Sequence, residues 1–119
     1  MRWFQPREYQ CRCGREECPA PKELSPRMQE QLDRLRSDLG YPLTINSGIR
    51  CDVQTSRVGG VQGSEHGTGE GVDILAETSQ ARYALLVKAL LLFPRIGVGR
   101  TFVHVGTSDT HPQQVAWLY

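Results

Sequence analysis

Apolar positions fall into helical spacing soon after the start of the chain. Met28, Leu32, Leu35 and Leu39 recur every three or four residues, with Ser25 suited to cap the helix, Pro26 to open it and Gly40 to stop it. The pattern then changes to alternation from Pro42 to Asn46, where Leu43 and Ile45 share a face, and Ser47-Gly48 turns out of that strand. Residues Arg50 to Glu65 are polar and glycine-bearing and predict a long loop, a length that in a compact domain usually signals either function or disorder. Val72 to Ala76 predicts a short buried strand, and Thr78 or Ser79 caps a second helix that runs through Phe93 and ends before Pro94. Three further strands are expected at Ile96 to Gly99, Thr101 to Gly106 and Val115 to Tyr119. Residues 1–24 show neither period. They predict an irregular cysteine-bearing arm held down by Trp3, Phe4, Tyr9 and the cysteines. The class is α+β, with two helices on a small, mainly antiparallel sheet.

Composition narrows this picture. A chain of 119 residues, 39% hydrophobic and 23% charged, is expected to form a single globular domain spanning 1–119. Its formal net charge of +1 gives no electrostatic case for a nucleic acid or anionic membrane partner. Arg2, Arg7, Arg12 and Arg15 are interleaved with Glu8, Glu16 and Glu17, which reads as a mixed solvated face. The apolar stretch from Ala84 to Phe93 is too short for a bilayer, and the first residues lack a secretory pattern. The expectation is a monomer made in the cytoplasm without a signal peptide, with no membrane insertion.

Histidine is scarce, and its placement suggests chemistry. Of the three histidines, His66 lies in a glycine-punctuated turn leading to Asp73, and His104 alternates with Val103 and Val105, which should face the core. Gly67, Gly69 and Gly71 disfavour a helix between His66 and Asp73, and an odd separation along a straight strand would set the two apart, so the glycines must bend the chain for both side chains to converge. Two imidazoles and one carboxylate suit zinc and leave a fourth position open, as catalytic sites do. Spacing alone leaves a plainer alternative standing: a strand histidine is often just a hydrogen-bonded structural residue.

The order of motifs adds to this. Ser47-Gly48-Ile49-Arg50-Cys51, Val58-Gly59-Gly60, Ser64-x-His66-x-x-Gly69-x-x-x-Asp73, Phe102-Val103-His104 and then Trp117 together resemble the zinc D-alanyl-D-alanine carboxypeptidase family. That family includes bacterial carboxypeptidases and phage endolysins that cut peptidoglycan stem peptides, and it shares a fold with the hedgehog signalling domain. The likeness is closest to its small bacterial and phage subgroup. It implies zinc held by His66, Asp73 and His104, with Arg50 binding substrate or stabilising an oxyanion and Ser64 lining the substrate site. It also implies a peptidoglycan peptide as substrate and action at the cell wall, or within a virion if a phage encodes the chain. A catalytically weak or inactive wall-binding module with the same fold and metal is the alternative.

Four positions depart from the family's pattern. Relatives often carry an acid three residues before the last zinc histidine, or a histidine two before it, where this chain has Thr101 and Phe102, neither of which can take a proton. The small subgroup often has aspartate two residues after that histidine, where this chain has Gly106, and Gly71 replaces a usual alanine. Glu65, Glu70, Asp109 and His111 are the candidates for proton transfer, with Glu65 placed first as the group beside a ligand. Finally, Cys11, Cys13, Cys18 and Cys51 form an even set expected to be structural. Two disulfides, one all-cysteine zinc site and free thiols stay open, since spacing does not settle between them, although Cys11-x-Cys13 is tighter than the usual zinc-knuckle spacing. Linking Cys51 to the arm would pin that arm beside Arg50.

Overall fold

A computed structural model describes all 119 residues. In chain order the elements are α1 (Pro6–Tyr9), α2 (Pro26–Leu39), β1 (Ile45–Ser47), α3 (Asp52–Arg57), a single 3-10 turn (Glu65–Thr68), β2 (Gly71–Leu75), α4 (Ser79–Leu92), β3 (Arg95–Val98), β4 (Phe102–Gly106) and β5 (Val115–Leu118). The two long helices begin and end where their caps predict. Ser25 Oγ accepts from Met28 N–H at 3.2 Å, Thr78 Oγ1 accepts from Ala81 N–H at 3.0 Å, and Gly40 closes α2 at φ 77°.

The five strands lie in the order β1-β2-β4-β3-β5. The first four are mutually antiparallel, while β5 runs parallel to β3 with Gly97 beside Trp117. The sheet is therefore mixed at one edge, a feature that alternation of residues does not encode. One face carries Val72, Ile74, Ile96, Val103 and Val105, all buried in a core with Met28, Leu32 and Leu35 from α2 and Leu85 and Ala89 from α4. The opposite face carries Asp73 and His104, which sit directly across from each other in the β2–β4 register. Alternation thus sends the apolar side chains to the helices and the candidate ligands to the other side.

Two expectations need correction. The stretch from Arg50 to Glu65 is not all loop, because it contains α3, capped by Cys51. That helix has no apolar stripe to announce it, since only Thr55 is buried and Val53 is half-buried. The N-terminal arm likewise includes one helical turn, α1, with Pro6 at its start and Glu8 reaching back to Gln5 N–H at 2.6 Å. The arm is held down by Phe4 and Tyr9, which are buried, and by Trp3, which lies against Arg2 and Arg36 and donates to Ser37 Oγ at 3.1 Å. No helix is long and apolar enough to cross a membrane.

The arm meets the sheet at Gly48. Ile49 N–H donates to Tyr9 C=O at 2.7 Å, and a Cβ at position 48 would stand 2.6 Å from Tyr9 Cα. Neither backbone can give way without breaking that bond. Gly48→Ala is expected to destabilise the fold by at least about 2 kcal/mol. Urea denaturation checks this, and an unchanged midpoint would show that the arm is not packed as described.

Candidate metal centre

The 3-10 turn at Glu65–Thr68 supplies the bend that converges His66 on Asp73. Gly69 ends it in the left-handed region at φ 73°, and the chain then enters β2 at Gly71. The ligand atoms offered by His66, Asp73 and His104 all lie within 4.8 Å of one another, and all three residues are buried. The structure therefore brings the three predicted residues to one point.

Protonation follows from the partners. His66 Nδ1 lies 2.7 Å from Gly48 C=O, which can only accept, so Nδ1 carries the proton and Nε2 presents a lone pair. That Nε2 is buried with no hydrogen-bond partner; Asp73 Oδ1 is 3.2 Å away but poorly aligned for a bond. An orphaned, unprotonated imidazole nitrogen facing a carboxylate is costly unless something cationic joins them. His104 turns its Nδ1 to the same Asp73 Oδ1 at 2.9 Å, completing a set of two nitrogens and one oxygen. This donor set fits zinc.

On its far side His104 Nε2 meets Glu65 Oε2 at 2.6 Å. Arg95 Nε donates to the same oxygen at 3.0 Å, and Ser108 N–H donates to Oε1 at 3.1 Å. Burial alone would raise the carboxyl of Glu65, but the bonds from His104, Arg95 and Ser108 outweigh it and hold the group below its ordinary value. Asp73 behaves alike: burial opposes ionisation, yet His104 and the nearby His66 hold it well below the carboxylate range. Burial would lower His104, and the two carboxylates reverse that and raise it.

Glu65 occupies this place because two glycines make room. Gly71 and Gly106 face each other across β2 and β4. A Cβ at 106 would fall on the Glu65 carboxylate, and one at 71 would lie 2.5 Å from Glu65 Cγ and 2.8 Å from His104 Cε1. The two departures noted at these positions are thus linked to a third residue, Glu65, which fills the space they leave. Reading Glu65 as the first candidate for proton transfer does not suit this geometry, since its carboxylate is fully engaged in holding His104. Of the other candidates, His111 lines the cleft beside the three candidate ligands, whereas Glu70 accepts from the Thr68 hydroxyl at 2.5 Å and Asp109 is exposed outside the cleft.

The cleft has a volume of about 860 Å³, and Arg50, Ser64, Trp117 and Tyr119 also line it. That is room for several residues of a peptide or a small ligand. Arg50 has a buried Nε without a protein partner. Arg95 went unnoticed in the sequence. The signal was there in principle, an arginine opening an otherwise apolar strand, which when buried requires a partner.

The sequence profile of the family described as peptidase M15 matches residues 2–106. The chain belongs to the peptidase M15 family. Its members are zinc-dependent, so the protein is a metallopeptidase of the cell-wall hydrolase type. The matched segment includes His66, Asp73 and His104 and stops before His111 and Trp117. No curated protein matches the chain significantly.

Removing the buried carboxylate tests the relay behind His104. Glu65→Ala leaves Arg95 without its carboxylate and His104 Nε2 without a partner, and is expected to weaken zinc binding about 10- to 100-fold and to destabilise the metal-stripped protein by about 3 kcal/mol. Chelator competition and thermal unfolding measure the two effects. Unchanged zinc affinity would show that Glu65 does not orient the histidine.

Proposed function

We propose that the protein is a zinc peptidase that hydrolyses peptidoglycan stem peptides, with metal bound by His66 Nε2, the Asp73 carboxylate and His104 Nδ1. The observation that carries this reading is the orphaned Nε2 of His66, fixed as an acceptor by Gly48 C=O and aimed where Asp73 and His104 meet. Zinc held there would supply Lewis acidity toward a scissile carbonyl and a nucleophile available near neutral pH.

The chain's own groups supply the rest. Arg50, at the cleft wall with an unpaired guanidinium nitrogen, binds a carboxylate or steadies charge on the carbonyl oxygen, since it stays charged and can bridge two oxygens. Ser64 lines the same wall and positions the peptide. Proton transfer falls to His111. Its Nε2 lies 3.1 Å from Gly63 C=O, which only accepts, so the proton sits there and Nδ1 is the basic atom, accepting from Ser108 Oγ at 2.7 Å. Releasing one neutral hydrogen bond costs about 1 kcal/mol, whereas freeing Glu65 would break three bonds that its ionised carboxylate accepts, at about 1.5–3 kcal/mol each. The magnitudes favour His111.

The same engagement of Glu65 favours the second reading, a wall-binding module that keeps the metal but turns over slowly. Incubating the protein with purified murein and reading new amine or carboxyl termini by mass spectrometry separates the two. Release that a chelator abolishes is expected. Binding without release would support the module.

Two variants sharpen the assignment. His66→Ala is expected to lose the zinc of this centre and all release. His111→Gln is expected to keep its zinc and slow release by about 100-fold or more. If His111→Gln matches the wild type, the proton acceptor is another group.

A further inference from the structure

Four sulfurs gather on the other side of Arg50. Cys11, Cys13, Cys18 and Cys51 are not disulfide-bonded, and their Sγ atoms all lie within 4.8 Å of one another. Sulfurs around a tetrahedral zinc at about 2.3 Å would stand about 3.8 Å apart, so the observed group is close to that size. Disulfides would draw the sulfurs into two separate pairs. Here each sulfur is near all of the other three.

The surroundings are those of thiolates. Cys51 N–H points at Cys11 Sγ (3.3 Å), Arg15 N–H at Cys13 Sγ (3.4 Å) and Gln54 N–H at Cys51 Sγ (3.5 Å), while the Arg15 guanidinium reaches Cys51 Sγ at 3.2 Å. Donors of this kind offset the negative charge that metal-bound thiolates carry. The local backbone is built to deliver them. Gly14, at φ 76°, turns the chain after Cys13 so that Arg15 N–H faces back at the sulfur, and Cys51 stands at the start of α3 with its sulfur over the first free N–H groups. Cys13 and Cys51 are buried, and Cys11 and Cys18 are half-buried.

We propose that Cys11, Cys13, Cys18 and Cys51 bind a second zinc ion in a closed, four-thiolate structural site, separate from the centre at His66. An all-sulfur tetrahedral set selects zinc or iron, and a site that only ties chain segments together has no use for a redox metal. The site joins the N-terminal arm to the residue next to Arg50. Arg50 N–H in turn donates to His66 C=O at 3.1 Å, so the knot anchors the backbone that carries both a cleft arginine and a ligand histidine.

The test uses the full chain purified under reducing conditions. Titrating its thiols with an organomercurial in the presence of a chromogenic zinc chelator is expected to release about one zinc per four thiols blocked, while the zinc at the histidines stays bound. Cobalt substitution is expected to give an intense thiolate-to-cobalt charge-transfer band, which a site of nitrogen and oxygen ligands cannot produce. Cys18→Ser is expected to lose one equivalent of zinc and that band, and to keep the metal at His66. No zinc release on thiol blocking would overturn the proposal. So would thiols that react only after a reductant is added, which would mean disulfides, or iron in place of zinc in the purified protein. Because the mercurial assay is run on the wild-type chain, a Cys18→Ser protein that fails to fold does not remove the test.

Discussion

Everything at the centre of this protein depends on holding one imidazole between two carboxylates. His104 meets Asp73 with Nδ1 and Glu65 with Nε2. The β2–β4 register sets the first contact by placing Asp73 and His104 opposite each other. The second contact fixes the ring so that the nitrogen toward Asp73 is the one free to coordinate. Buried charges of this kind are costly singly and tolerable only as a connected set, and Arg95 and the Ser108 amide close the set around Glu65.

That requirement explains features which look unrelated along the chain. Gly71 and Gly106 lie 35 positions apart and serve one end, leaving volume for a buried glutamate beneath the histidine. Gly97 allows Trp117 to lie over the sheet, where its ring stands 5.5 Å from His104 and 5.0 Å from the Arg95 guanidinium. On the opposite wall Gly48 does two things: its lack of a side chain admits the N-terminal arm, and its carbonyl sets the protonation of His66. The arm is thus part of the centre's support rather than an appendage, and the four converging cysteines tie it down at Arg50.

Much of this was legible beforehand, and the parts that were not have physical reasons. Helical periodicity and caps announced α2, which buries Met28, Leu32 and Leu35 as a stripe, whereas α4 was announced only by its Thr78 cap and Pro94, since its apolar residues run round the helix and leave Leu90 and Leu91 exposed. Alternation around His104 announced the face it would occupy. The six-residue α3 was silent, since it buries little and is set by its cap and tertiary contacts. The direction of β5 was silent because strand periodicity is the same for parallel and antiparallel neighbours. The role of Glu65 was hidden for a subtler reason: a carboxylate beside a ligand reads as a catalyst until two distant glycines are seen to draw it under the histidine. The convergence of Cys51 with Cys11, Cys13 and Cys18 depends on contacts across some 40 residues, which spacing does not report.

A high-resolution crystal structure of the zinc-loaded protein tests the central claim most directly. The metal is expected on His66 Nε2, an Asp73 oxygen and His104 Nδ1, with His104 Nε2 still on Glu65 and Glu65 outside the coordination shell. Coordination through His104 Nε2, or Glu65 acting as a ligand itself, would contradict it.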